Sequence, residues 1–154
     1  MDYFQHVVQD YLRSSRTRFV NPQCLIQLDA GKERKGRHWY CDFLTIDFSD
    51  RTVYLCEVTF ARGLQSLIKR LAAWNAHWPD VRRAIVRDCG VPEDWNVATW
   101  LFVPEDYQAL IGPRLQRPAT TGDQGLAMPN PKITTLESVL PWKYRSWVGT
   151  HYNA

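Results

Sequence analysis

The sequence predicts an α/β domain, a mixed central sheet flanked by helices with a C-terminal appendage. Three observations carry that reading. Two strand-like runs, His38–Phe48 and Thr52–Phe60, are separated only by a short turn. A helical stripe of apolar residues follows them. A continuous apolar run, Val97–Val103, then suits a strand buried on both faces.

Residues 2–15 read as an amphipathic helix, because Tyr3, Phe4, Val7, Val8, Tyr11 and Leu12 recur at helical spacing. Asn21-Pro22 breaks the chain, and Cys24–Asp29 is a short strand. A basic connector, Gly31–Arg37, leads into the two main strands, which turn at Ser49-Asp50. Gly63–Trp78 is a helix with the stripe Leu64, Leu67, Ile68, Leu71, Trp74 and Trp78, and Pro79 stops it or starts the next turn. Asp80–Cys89 is a further short helix closed by Gly90. Pro104–Ile111 is helical, with proline at its first position and acids in its first turn. Residues 112–132, rich in Pro, Thr and Gly, read as a long loop. Residues 133–154 return to order: Thr135 caps a short helix over Leu136–Leu140, and Trp142, Tyr144 and Trp147 pack back on the body.

A chain of 154 residues suits one domain, 1–154, with its core over about 2–111. Hydrophobic residues at 45% and charged residues at 23% are ordinary for a globular protein. The net charge of +3 is mildly basic and compatible with a nucleic-acid partner. Cys24, Cys41, Cys56 and Cys89 show no C-x-x-C spacing and read as reduced thiols. Met1–Arg13 lacks the pattern of a signal peptide and no apolar run approaches membrane-spanning length, so the expectation is a cytoplasmic protein without a membrane partner.

A turn centred on Ser49-Asp50, of two residues or of four, sets Ile46 opposite Val53, Leu44 opposite Leu55, Asp42 opposite Glu57 and Tyr40 opposite Thr59. Alternation puts these on one face, and Cys41, Phe43, Thr45, Tyr54, Cys56, Val58 and Phe60 on the other. Two carboxylates facing each other on a buried surface repel, and each loses its hydration. A divalent cation offsets that cost: carboxylate oxygens suit Mg²⁺, which keeps waters and recruits phosphate oxygens. The alternative is that one acid is protonated, or that each pairs with a cation such as Arg62.

An Asp on one strand, a turn, then Glu57-Val58-Thr59 on the next strand and a helix after it resembles the PD-(D/E)XK nuclease superfamily. The resemblance implies an αβββαβ restriction-endonuclease-like core, Asp42 and Glu57 as ligands of Mg²⁺ or Mn²⁺, and hydrolysis of phosphodiester bonds in DNA. Thr59 falls where that family has its lysine, and Cys41 where it has proline. Loss of the lysine leaves two readings open: a metal-dependent endonuclease, or a catalytically inactive fold acting as a nucleic-acid-binding or protein-interaction module. Some relatives recruit a lysine from the following helix, but Lys69 lies opposite the apolar stripe. Gln65, as a polar orienter, and Arg62, as a phosphate-binding charge, are better placed. Dimerisation to cut two strands is a further implication of the resemblance.

Lys32, Arg34, Lys35 and Arg37 in the basic connector could rest on phosphates or be a solvated loop. Arg13, Arg16 and Arg18 form a second cluster with the same two readings. Asp10 or Gln9 could add an outer ligand from the first helix. His38 is either a proton carrier or structural, and Asp47 and Asp50 are turn residues.

Overall fold

The computed structural model describes residues 1–31, 35–60, 64–115 and 127–145. It contains α1 (Tyr3–Arg13), β1 (Arg18–Gln27), β2 (His38–Asp47), β3 (Thr52–Val58), α2 (Leu64–Ala76), α3 (Trp78–Cys89), β4 (Asn96–Val103), α4 (Glu105–Leu115) and β5 (Lys132–Thr135). Two short 3-10 turns follow, Leu136–Val139 and Pro141–Lys143. The sheet has five strands in the order β1-β2-β3-β4-β5. The first three are an antiparallel meander, while β4 runs parallel to β3 and β5 parallel to β4. The chain is therefore α/β with a mixed sheet, as expected.

Helices cover both faces of the sheet. On one, Leu67, Leu71, Trp74, Trp78, Val81 and Ile85 of α2 and α3 pack with Leu44, Val53, Leu55 and Leu101. On the other, Val7, Val8 and Leu12 of α1 pack with Phe43, Tyr54, Cys56, Trp100 and Phe102, joined by Leu136 and Val139. Trp74, Trp78 and Trp100 are fully enclosed, so these rings are core.

The hairpin register holds from Asp47↔Thr52 to Phe43↔Cys56. Its turn is the four-residue form, with Arg51 at φ 51° and the Asp50 amide donating to Asp47 Oδ1 at 2.9 Å. Two expectations for β2 need correction. The ladder ends at Phe43↔Cys56, so Asp42 and Glu57 are not a ladder pair. Cys41 packs in the same cluster as Leu44, not on the side of Phe43, so the alternation slips by one residue at Asp42.

β1 runs through Asn21-Pro22 instead of starting after it. Proline is tolerated because β1 is an edge strand, where a missing N–H breaks no ladder, and Gln23 at φ 52° absorbs the local bend. α4 extends to Leu115, into the stretch read as loop, and β5 was not foreseen. Thr135 does cap the first 3-10 turn by position, without a side-chain bond. Trp142 is exposed rather than packed, while Tyr144 stacks edge-on against Tyr11 and Trp147 lies outside the described residues.

Gly90 ends α3 at φ 66°, with its amide donating to the Val86 carbonyl at 3.1 Å. No atom within 4 Å would meet an added Cβ, so strain alone decides the effect of substitution. Gly90→Ala is expected to cost about 1 kcal/mol in a urea unfolding curve, with an unchanged slope.

Candidate functional site

The site lies where β2 leaves β3. Val58 would continue the ladder, but its amide donates to the Asp42 side chain, at 2.8 Å from Oδ2. The Asp42 carboxylate thus takes the place of a backbone acceptor and is fixed in position by that bond. On the other side of β3, Thr59 stays bound to the sheet through its amide and the Phe102 carbonyl, at 2.9 Å.

Helix α1 reaches the same carboxylate. Asp2 and Gln5 form a capping box: the Gln5 amide donates to Asp2 Oδ1 at 2.8 Å, and the Asp2 amide donates to Gln5 Oε1 at 3.0 Å. Gln5 Nε2 then donates to Asp42 Oδ1 at 3.1 Å. One side chain therefore couples the helix cap to the site acid. Gln5→Ala removes both bonds and is expected to lower stability by about 0.5–2 kcal/mol, measured by chemical unfolding.

Glu57 is 1% exposed. Its Oε2 accepts from Arg70 Nη1 at 2.6 Å, and its Oε1 is buried without a hydrogen-bond partner. Burial first, and then the Asp42 carboxylate, push Glu57 up to about 9; Arg70 opposes them without prevailing. Desolvation acts on every buried atom of the group, whereas Arg70 engages one oxygen and its own side chain is 40% exposed.

A cavity of about 440 Å³ opens over this arrangement. Asp42, Thr59, Ser66 and Arg70 supply its polar wall, and Tyr3, Phe4 and Phe60 an aromatic lip. Phe4 and Phe60 stack with centroids 4.0 Å apart, while Tyr3 and Phe60 remain 68% and 54% exposed.

The structure sets Glu57 next to Asp42; Asp42 and Thr59 line the cavity, Thr59 with its residue 6% exposed, whereas Glu57 is buried behind the wall and does not line it. Gln65 is exposed and does not line the cavity; Ser66 and Arg70 do so from the same helix. Lys69 is exposed, as its helical phase implied. Arg37 is bound to Asp29 and Asp80 at 3.0 and 3.2 Å, and Lys35 is exposed. Lys32, Arg34 and Arg62 lie outside the described residues. Asp10 and Gln9 do not line the cavity. His38 Nδ1 is 2.8 Å from the Gly36 carbonyl, and Arg18 is held by Asp47 at 2.9 Å and stacks over Trp100. Asp47 and Asp50 are turn residues as read, Asp50 also accepting from the Tyr54 hydroxyl at 2.9 Å.

Two residues of the site escaped the sequence reading. Arg70 lies about 90° from the centre of the α2 stripe, at its edge, from where a long side chain reaches over. The Asp2-x-x-Gln5 spacing signals a helix start, though not a contact with a residue 37 positions away.

Among the described residues no three His, Cys, Asp or Glu side chains group as a ready metal cage. The donor set nevertheless fits a hard divalent cation: two neighbouring carboxylates, Glu57 with a buried oxygen lacking a partner and Asp42 on the wall of a cavity with room for water. No family model matches the chain, and no match is found among curated proteins or solved structures.

Proposed function

We propose that this chain is a PD-(D/E)XK-like nuclease domain that hydrolyses phosphodiester bonds in DNA, with Mg²⁺ or Mn²⁺ held by Asp42 and Glu57. The observation that carries the reading is Glu57 Oε1: a buried carboxylate oxygen without a partner, next to Asp42, whose residue lines an open cavity. The element order and the parallel placement of β4 beside β3 support it further.

When bound, the cation supplies an activated water and charge neutralisation at a phosphodiester. The protein's own residues prepare the rest. Gln5 and the Val58 amide hold Asp42 in a fixed orientation. Thr59 offers a hydroxyl where the family has a lysine, so it can orient water but brings no charge. Arg70 brings that charge: its guanidinium lines the cavity and suits bidentate contact with a phosphate. A cytoplasmic location belongs to the same proposal, with the four cysteines free.

The second reading, a binding module without catalysis, draws on the Arg70–Glu57 contact, which already sets a positive charge against Glu57. Incubation with supercoiled plasmid and with single-stranded DNA in Mn²⁺ separates the two. Nicking that is abolished by chelator fits the nuclease; salt-sensitive binding without nicking fits the module.

A further inference from the structure

We infer that Cys24 and Cys41 are a thiol pair that oxidises to a cross-strand disulfide immediately ahead of Asp42. The two residues are direct register partners on antiparallel β1 and β2. Their side chains share a face: Cys41 lies in the cluster under α2 and α3, and Cys24 packs against the same cluster. Directly opposed residues on antiparallel strands have Cα atoms about 4.5–5.5 Å apart, inside the range of about 4.4–6.8 Å that a disulfide spans. Both thiols are free, Cys41 buried and Cys24 partly exposed, so Cys24 is the one a soluble oxidant reaches first.

The surroundings of Cys24 favour its thiolate. The neighbouring Cys41 thiol lowers it below its ordinary value, against the opposing effect of burial, and the Asn21 side-chain amide, donating to its sulfur at 3.6 Å, lowers it further. Cys89 also belongs to this cluster, but burial pushes it up to about 11 and keeps it a thiol. Cys56 sits on the opposite face of the sheet.

With hydrogen peroxide as oxidant, the Cys24 thiolate attacks one oxygen, the O–O bond breaks, and sulfenic acid and hydroxide form. The Cys41 sulfur then displaces the hydroxyl from Cys24, its proton leaving in the water released. The two thiols lose two electrons and two protons, and the peroxide becomes two waters. The position gives this bond a consequence. Pairing between β1 and β2 skips Gln23 and Asp42, so Cys24↔Cys41 is the first pair on that side of the gap. A disulfide fastens the strand from which Asp42 reaches across to Val58.

The test is mild peroxide treatment of the full chain, followed by alkylation, intact mass and peptide mapping. Two of the four cysteines should become resistant to alkylation, with a mass loss of about 2 Da. One cross-linked peptide pair should contain Cys24 and Cys41, and dithiothreitol should restore all the thiols. Cys89→Ser should keep the cross-link. Four alkylatable thiols after treatment, or a bond from Cys24 to Cys89 instead, would overturn the inference. Because the decisive readout is the map of the wild-type chain, it holds even if Cys41→Ser fails to fold.

Discussion

In the absence of divalent metal, the stability of the wild-type chain should fall as pH rises from about 5 towards 9, and Glu57→Gln should remove that fall. Glu57 stands at about 9 in the folded chain, against an ordinary value of 4.5. Between those values the folded state holds a proton that the unfolded state has released, so unfolding is favoured by raising the pH. The stability that this group contributes is complete below its unfolded value and is lost as pH rises through the folded one. One proton sets the slope at up to about 1.4 kcal/mol per pH unit. Glutamine keeps the shape and cannot ionise. Urea midpoints from pH 5 to 9, taken in chelator, should therefore converge at low pH and separate steadily above it. Parallel curves for the two proteins would show that Glu57 is ionised throughout, held by Arg70.

The second large effect falls on Asp42. Asparagine at this position can still accept from the Val58 amide but sets its own amide nitrogen against Gln5 Nε2, so Asp42→Asn should fold with a stability in urea lowered by about 1 kcal/mol. It loses one of the two negative charges that would face a cation. Removing an outer-shell partner of a metal commonly costs about 10–100-fold in affinity or activity, so removing a ligand should cost at least about 100-fold in Mn²⁺-dependent nicking. Initial rates on supercoiled plasmid give the comparison. Equal rates in wild type and Asp42→Asn would remove this carboxylate from the chemistry.

Much of the fold was legible because the strongest signals are local. The hairpin register follows from a turn centred on Ser49-Asp50 and the apolar residues either side, and Phe43 to Asp47 pair as that arithmetic requires. α3 ends at Gly90 for the conformational reason that glycine announces. What escaped notice depends on position in the sheet. Pro22 looks like a strand breaker until β1 proves to be an edge. Four residues, Lys132–Thr135, carry too little periodicity to declare a strand, and they become one by pairing with β4.

The site divides in the same way. Asp42 and Glu57 could be brought together from strand pairing, though they meet through a gap in the ladder and not across it. That gap has a physical cause invisible in the sequence: the Asp42 side chain replaces a main-chain acceptor, and the alternation of β2 slips there. Arg70 and Gln5 arrive from separate helices, so their contacts depend on how α1 and α2 lie on the sheet. Arg70 reaches the cavity wall by this route.

On the proposed function Asp42 and Glu57 form a cation site, with Arg70 engaging Glu57 when no metal is bound. The most direct test is a crystal of the protein soaked in Mn²⁺, with anomalous diffraction collected at the manganese edge. One anomalous peak is expected between the two carboxylates, with Glu57 Oε1 among its ligands. A map without that peak at millimolar Mn²⁺, with the Arg70–Glu57 pair unchanged, would contradict it.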